Sequence, residues 1–368
     1  MPQQTNSPLP EDFILESYRI GRQLSSGGFS LVYLGYDEYG DEVAIKEYLP
    51  AGLAARKEGQ IMPNIGEENL IIFRYGMKCF FEEGQALTRL SHPNVVRVLN
   101  FFRANETVYM VMKYEKGKTL QEHIVGHSPL KEDFIRYVFV QMLNGLREVH
   151  AHKLLHLDIK PANVYIRTDG SPVLIDFGAA RQTLTEGTTR LKPYSPGFAS
   201  PEQYHYRERL GPWSDIYSVG ASMYSCISGL APQPADGRLT RDQLVLATVV
   251  GQGKYSTQFL EIIDWCMRLD YLARPQSGFQ LQKALTENLK PPKGHTPPEN
   301  LKPPDGHTPP NRPGGSAMPV PAEYELTDAL PNLSNEETRH LPARTRRRAT
   351  MNNGERSTTS TATANWSA

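Results

Sequence analysis

The chain has 368 residues, 40 Lys and Arg against 40 Asp and Glu, 39% hydrophobic and 22% charged. That composition describes a globular protein, excludes collagen-like, disulfide-stapled and wholly disordered chains, and predicts two or three domains or lobes of roughly 100–200 residues. Zero formal charge removes whole-molecule attraction to nucleic acid or anionic lipid, and Cys79, Cys226 and Cys266 lack metal or redox spacing and are expected to be reduced.

The N-terminus, from Met1 to Asn6, has no basic segment followed by an apolar one, so no secretion signal is expected, and residues 1–17 read as flexible. Strand-like segments follow at Tyr18–Leu24, Phe29–Tyr36 and Glu42–Glu47, broken by Gly27-Gly28 and Gly40-Asp41 like consecutive antiparallel hairpins. Residues 51–70 have no clean period and are either a functional insertion or a cover over the sheet. A helix is predicted around Lys78–Leu90, then strands at Val95–Arg103 and Val108–Tyr114. From Leu120 to about residue 285 helical periodicity dominates, clearest at Phe134–His150 and Asp215–Ser228. A small β-rich lobe therefore precedes a larger helical one.

Beyond Leu289 the composition changes, with 11 prolines between Pro291 and Pro321. Two copies of a 12-residue unit, starting at Leu289 and Leu301, lie there; two proline-rich copies do not stack into a solenoid. Residues 286–321 read as an extended linker, with docking to a reader of proline-rich motifs as a further expectation. Residues 322–368 are poor in large apolar side chains and read as a disordered tail. The cluster Arg344-Thr345-Arg346-Arg347-Arg348-Ala349-Thr350 is a solvated charge run, a polyanion contact or a phosphoacceptor site at Thr350. No run approaches the ~20 apolar residues of a membrane span, and the expected compartment is cytoplasmic.

Three constellations carry chemistry. Leu24-Ser25-Ser26-Gly27-Gly28-Phe29-Ser30-Leu31-Val32 is a turn whose small residues let backbone amides approach phosphate oxygens, although a plain Gly-Gly hairpin has the same pattern. Val43-Ala44-Ile45-Lys46 ends an apolar strand in one cation, for which Glu83 on the following helix is the natural counter-ion; a snorkelling surface lysine is the alternative. The densest is His156-Leu157-Asp158-Ile159-Lys160-Pro161-Ala162-Asn163, followed 18 residues after Asp158 by Asp176-Phe177-Gly178. There Asp158 can accept a hydroxyl proton, Lys160 can neutralise a transferring phosphoryl group, and Asn163 and Asp176 offer hard oxygen ligands to magnesium.

By these residues the chain resembles a protein kinase, close to the eukaryotic-like Ser/Thr kinases of bacteria, over residues 18–285. The resemblance implies an α+β, bilobal fold, with a small antiparallel β N-lobe carrying one main helix (18–114) and a larger, mainly α C-lobe (115–285). It implies that Ser25, Gly27 and Ser30 occupy the three glycine positions of the phosphate loop, flanked by Leu24 and Gly28. Val32, Ala44 and Met112 would line the adenine pocket, with Met112 as gatekeeper and Lys113–Glu115, including Tyr114, as the hinge. Lys46 and Glu83 would form the lobe-bridging pair, Asp158 would be the base, Lys160 the phosphate stabiliser, and Asn163 and Asp176 the metal ligands. Ser195 would bridge Asp158 and Lys160, and Glu202 of Ser200-Pro201-Glu202 would pair with Arg274. Phe177, Gly178, Asp215 and Gly220 match structural positions. Implied cofactors are ATP and Mg2+, with Mn2+ open; implied partners are proteins presenting Ser or Thr, including this chain's own tail, with no nucleic acid.

Departures from the pattern carry their own expectations. Ser25 and Ser30 stiffen the phosphate loop. Leu157 stands where an arginine usually clamps an activation-segment phosphate, so Asp176–Glu202 is expected to reach an active geometry without modification of Thr183, Thr185, Thr188 or Thr189. Lys113 places a positive charge beside the hinge. Gly84, within the helix, costs about 1 kcal/mol relative to Ala and suggests a mobile helix. The competing function is a pseudokinase scaffold that binds nucleotide without turnover; a kinase-like enzyme acting on a small molecule is disfavoured by Ser200-Pro201-Glu202.

Overall fold

A computed structural model describes residues 6–127, 129–177 and 194–287. Gly178, the four threonines between 183 and 189, the proline-rich duplication and the tail with Thr350 lie outside the described residues.

The first lobe is a six-stranded antiparallel sheet in the order β1-β2-β3-β4-β8-β7. Its strands are β1 (Ile14–Leu15), β2 (Tyr18–Ser26), β3 (Ser30–Tyr36), β4 (Glu42–Tyr48), β7 (Val98–Ala104) and β8 (Thr107–Lys113). A separate two-stranded piece, β5 (Ala54–Ala55) with β6 (Asn64–Ile65), lies in the segment after β4. Because side chains alternate across a strand, Ala44, Lys46 and Tyr48 face one side of β4, and Ile45 and Glu47 the other.

Helix α1 (Leu70–Leu87) packs on the Lys46 face, where Tyr48 meets the rings of Phe73 and Phe80. It starts at Leu70, earlier than the predicted Lys78. The continuous apolar run Leu70-Ile71-Ile72-Phe73 hides a helical period that is visible only in burial, at Phe73, Met77, Phe80, Gly84 and Leu87. Gly84 has a packing reason: a Cβ there would lie 3.3 Å from Met110 Cε and 3.4 Å from Phe101 Cβ.

The opposite face of the sheet is also covered, by residues 6–15 and 49–66. Residues 6–17, expected to be flexible, are folded: Leu9 and Leu15 are buried, β1 pairs with β2, and the Ser7 N–H donates to the Arg56 carbonyl at 3.0 Å. Residues 51–70, undecided from sequence, include this cover together with the turn leading into α1. Arg56 from this segment pairs with Glu47 of β4 at 2.6 Å, with neither side chain exposed.

The second lobe begins with β9 (Gly117–Thr119), α2 (Leu120–His127) and α3 (Glu132–Ala151). Next come β10 (Val164–Arg167), β11 (Pro172–Leu174), α4 (Pro201–His205), α5 (Pro212–Ser228), α6 (Ala235–Thr240), α7 (Ala247–Val250), α8 (Thr257–Cys266) and α9 (Gly278–Glu287). The sheet β11-β10-β9 is absent from the sequence expectation, since strands of three or four residues leave too few alternations to detect. Helix α5 is buried without interruption from Ser214 to Ile227, as a core helix is. At Gly220 it approaches α8 so closely that a Cβ would lie 2.5 Å from Cys266 Cβ.

Arg274 closes this lobe. Its guanidinium donates to both oxygens of Glu202, at 2.8 and 3.1 Å, and to the carbonyls of Arg268, Trp213 and Leu269, which uses all five N–H donors. Removing one partner of such a buried pair costs about 3–5 kcal/mol. Arg274→Met should therefore lower unfolding stability by about that amount in urea titrations, and the double variant Arg274→Met, Glu202→Met should recover part of it.

Candidate active site

Lys46 stands on β4 with Val32 opposite it on β3, and Ala44 stands opposite Met112 on β8. Directly opposed residues share a face, so Val32, Ala44, Lys46 and Met112 line the same side of the sheet as α1. Lys46 Nζ lies 2.6 Å from Asp176 Oδ1 and 5.3 Å from the centre of the Phe80 ring. This corrects the expected pairing. Among the described residues the carboxylate within ion-pair reach of Lys46 is Asp176, not Glu83, which is buried on α1 one turn beyond Phe80. Asp176 reaches across because its backbone is left-handed, with φ +60°. Phe177, beside it, is buried against His156, with ring centroids 4.4 Å apart.

Ser25, near the end of β2, and Gly27 and Gly28, in the turn that follows, are exposed, Leu24 is half-buried and Ser30 is buried. Beyond the sheet, Tyr114 and Lys113 lead into the second lobe. Lys113 Nζ lies 3.5 Å from Glu115, which Arg167 of β10 holds at 2.7 and 3.0 Å. Lys116 reaches back to Glu42 of β4 at 2.7 Å, so the connection between lobes is braced by ion pairs on both sides.

In the second lobe Asp158 is the focus. Its Oδ1 accepts from Ser195 Oγ at 2.7 Å, and its Oδ2 accepts from Lys160 Nζ and Asn163 Nδ2, each at 2.9 Å. Lys160 also donates to Ser195 Oγ at 2.8 Å. The structure thus brings Asp158, Lys160, Asn163 and Ser195 into one cluster, although Ser195 lies 37 positions along the chain from Asp158. Asn163 Nδ2 donates to the Asp158 carbonyl and carboxylate and lies 3.4 Å from the Asp176 carbonyl. With Nδ2 so engaged, the Asn163 amide oxygen is the atom left to act as a ligand. An amide oxygen and the Asp176 carboxylate are hard donors of the kind magnesium takes, its remaining ligands coming from water and phosphate.

The segment carrying Asp158 is held from beneath. Leu157 has φ +59°, a conformation that costs an ordinary L-residue about 1–2 kcal/mol. Asp215, at the start of α5, offsets that strain by accepting the Leu157 N–H at 2.7 Å, the His156 N–H at 2.9 Å and His150 Nε2 at 2.8 Å. Gln203 donates to the Leu157 carbonyl at 2.9 Å. Burial pushes the Asp215 carboxyl up, but the His150 hydrogen bond and the neighbouring imidazoles and N–H bring it below its ordinary value. Sequence reasoning missed His150 and Gln203; the only available signal was a polar residue inside an apolar helical pattern.

His156 is fully buried, and burial holds its imidazole below the ordinary histidine range. Its Nδ1 accepts the Asp158 N–H at 3.3 Å, so the proton sits on Nε2, which donates to the Ile175 carbonyl at 3.2 Å. A neutral ring satisfies both contacts. No helix among the described residues is long and apolar enough to cross a membrane.

A family model described as "Protein kinase domain" matches residues 18–287. The chain is 30% identical over 268 residues to serine/threonine-protein kinase B of Synechocystis sp., covering 70% of this chain and 46% of that protein. It is 29% identical over 227 residues to a probable serine/threonine-protein kinase PknB of Lactococcus lactis, covering 60% and 33%. The chain therefore spans less than half the length of these relatives. Among solved structures, the apo form of PpkA-294 superposes with a TM-score of 0.70 at 31% identity, over 76% of this chain and 99% of that one. Rad53 in complex with AMP-PNP superposes with a TM-score of 0.55 at 21% identity, over 73% and 64%, a likeness of fold alone.

The His156 contacts give a pH dependence. A buried neutral imidazole takes up its proton only after unfolding, so its contribution is complete above the unfolded-state pKa of about 6.5 and falls as pH drops below it. Asp215, held below its ordinary value, adds a second loss below about pH 4. The melting temperature should fall between about pH 7 and pH 5.5, and His156→Gln should flatten that slope; an unchanged slope would show that another group titrates.

Proposed function

The chain belongs to the protein kinase family, and on that premise we propose that it transfers the γ-phosphoryl group of Mg-ATP to Ser or Thr hydroxyls of proteins. The observation that carries this reading is the pair of facing clusters. Asp158, Lys160, Asn163 and Ser195 stand on one side, Lys46 on the other, and Asp176 touches both through its side chain and carbonyl.

In this reading the acceptor hydroxyl gives its proton to Asp158 as its oxygen bonds to the γ-phosphorus, and the bond from that phosphorus to the leaving oxygen breaks to release ADP. Lys160, whose ammonium lies between Asp158 and Ser195, neutralises the oxygens of the group in transit. Lys46 binds the α- and β-phosphates beneath the turn at Ser25, Gly27, Gly28 and Ser30, and Glu83 supports α1 beside it. Leu24, Val32, Ala44 and Met112 contact the adenine, with backbone hydrogen bonds from the Tyr114 segment. Asn163 and Asp176 would hold the magnesium, which would supply neutralisation of phosphate charge. Transfer to serine or threonine, and not to tyrosine, is supported by Lys160 and its contact with Ser195.

Asp158→Asn should lower transfer from radiolabelled ATP by about 10²–10⁴-fold while leaving nucleotide binding near that of the unmodified chain; retained transfer would remove Asp158 as the base. Activation without a phosphate clamp is the second expectation, motivated by Leu157, whose side chain carries no cation to hold an activation-segment phosphate. Replacing Thr183, Thr185, Thr188 and Thr189 by Ala should leave transfer largely intact, and a fall of about a hundredfold would overturn it. Autophosphorylation near Thr350 is the third: mass spectrometry after incubation with Mg-ATP should find phosphate beyond residue 340, and an unmodified tail would remove it.

A further inference from the structure

The cover on the outer face of the first lobe does more than bury apolar surface. Its root touches the phosphate loop: the Leu49 N–H donates to the Phe29 carbonyl and the Ala51 N–H to the Gly28 carbonyl, both at 3.0 Å. These bonds extend the β3–β4 ladder beyond its last pair, Ser30 with Tyr48, into the glycine turn. Within the turn the Gly27 N–H donates to the Ser30 carbonyl at 2.9 Å. The tip of the loop is therefore tethered from the side by residues 49–51.

Those residues are held in turn. Arg56 and Glu47 stand at the two ends of the segment 47–56 and clamp it shut, with the two terminal guanidinium nitrogens each 2.6 Å from one carboxylate oxygen. The remaining donors of Arg56 reach Tyr33 Oη at 2.8 Å, the Ser7 carbonyl at 2.9 Å and the Ile61 carbonyl at 3.3 Å, so all five N–H groups are used. Glu47 also accepts from Tyr33 at 2.7 Å and from Tyr109 at 2.8 Å, which fixes it to the strands on either side. Asn6 links both ends, donating to the Leu49 carbonyl at 3.3 Å and accepting the Arg56 N–H at 2.8 Å. Glu47 follows Lys46 and points the other way, so the strand end that carries the nucleotide-facing ammonium is fixed from its outer side.

We propose that Arg56 is a positioning residue for the phosphate loop: by clamping Glu47 it holds Leu49 and Ala51 where their N–H groups preset the carbonyls of Phe29 and Gly28. The proposal rests on the kinase reading only for its consequence, a loop already shaped for nucleotide phosphates. A loop with Ser25 and Ser30 in glycine positions has less backbone freedom to reshape around a nucleotide, and a tether that sets its geometry in advance removes that need.

The test uses the full chain with Arg56→Met, Arg56→Lys and Ala51→Pro; the last removes the N–H that reaches Gly28 while keeping every residue of the buried clamp. Two readouts are taken: amide exchange over residues 25–31 without nucleotide, and steady-state transfer from Mg-ATP to a serine peptide. Expected are faster exchange and an ATP KM raised about tenfold in Arg56→Met and Ala51→Pro, with kcat and the peptide KM within about threefold, and Arg56→Lys in between. Should Arg56→Met fail to fold, Ala51→Pro decides. Unchanged exchange in Ala51→Pro, or an ATP KM within about twofold of the unmodified chain, overturns the proposal. Absence of transfer by the unmodified chain overturns the kinase reading instead, while the exchange result still judges the tether.

Discussion

The ion pair between Lys46 and Asp176, at 2.6 Å, is the contact on which the site depends, because it joins a charge fixed in the sheet of one lobe to a charge fixed in the other. Neither group has a role at a distance. Lys46 is set by the β3–β4–β8 register and by Phe80 beneath it, and Asp176 by a left-handed turn after β11. Their meeting defines the cleft and places Asn163, whose amide lies against the Asp176 carbonyl, between the two halves. That Asp176, and not Glu83, neutralises Lys46 places the charge of the first lobe under the direct influence of the second.

Each lobe is stiffened by one buried arginine that spends all five of its N–H groups. Arg274 gathers Glu202 and three carbonyls in the second lobe, and Arg56 gathers Glu47, Tyr33 and two carbonyls in the first. A buried guanidinium is tolerable only when every donor is matched, and once matched it fixes the direction of several strands or loops at once. Arg274 does this beneath the segment that carries Asp158, where Glu202 lies one residue from Gln203, the partner of the Leu157 carbonyl. Arg56 does it behind the turn between β2 and β3. Both sides of the cleft therefore rest on a rigid polar support and not on apolar packing alone.

Short-range pattern made the chemistry legible. Lys46 at the end of an apolar strand, Asp158, Lys160 and Asn163 within six residues, and Asp176 before Phe177 were visible because the groups that must act together are locally spaced. The strands from Tyr18 to Glu47 were visible from β-branched and aromatic residues between glycine-containing turns, and α3 from its periodic burial, whereas α5, read at Asp215–Ser228, is buried along nearly its whole length. The start of α1 was hidden by a continuous apolar run, and the β9–β11 sheet by the shortness of its strands. The fold of residues 6–17 was hidden because an exposed-looking polar segment gives no sign that Ser7 and Asn6 meet Arg56 about fifty positions away.

The sequence by itself determined which residues carry reactive groups and in what local order, since proton acceptors, cations and oxygen ligands are identities, and a chain's spacing is fixed covalently. The tertiary structure alone decided which charges meet. It gave Lys46 to Asp176 and not Glu83, and it set the Leu49 and Ala51 N–H groups on the carbonyls of Phe29 and Gly28, because these outcomes depend on distances between segments that no local pattern encodes.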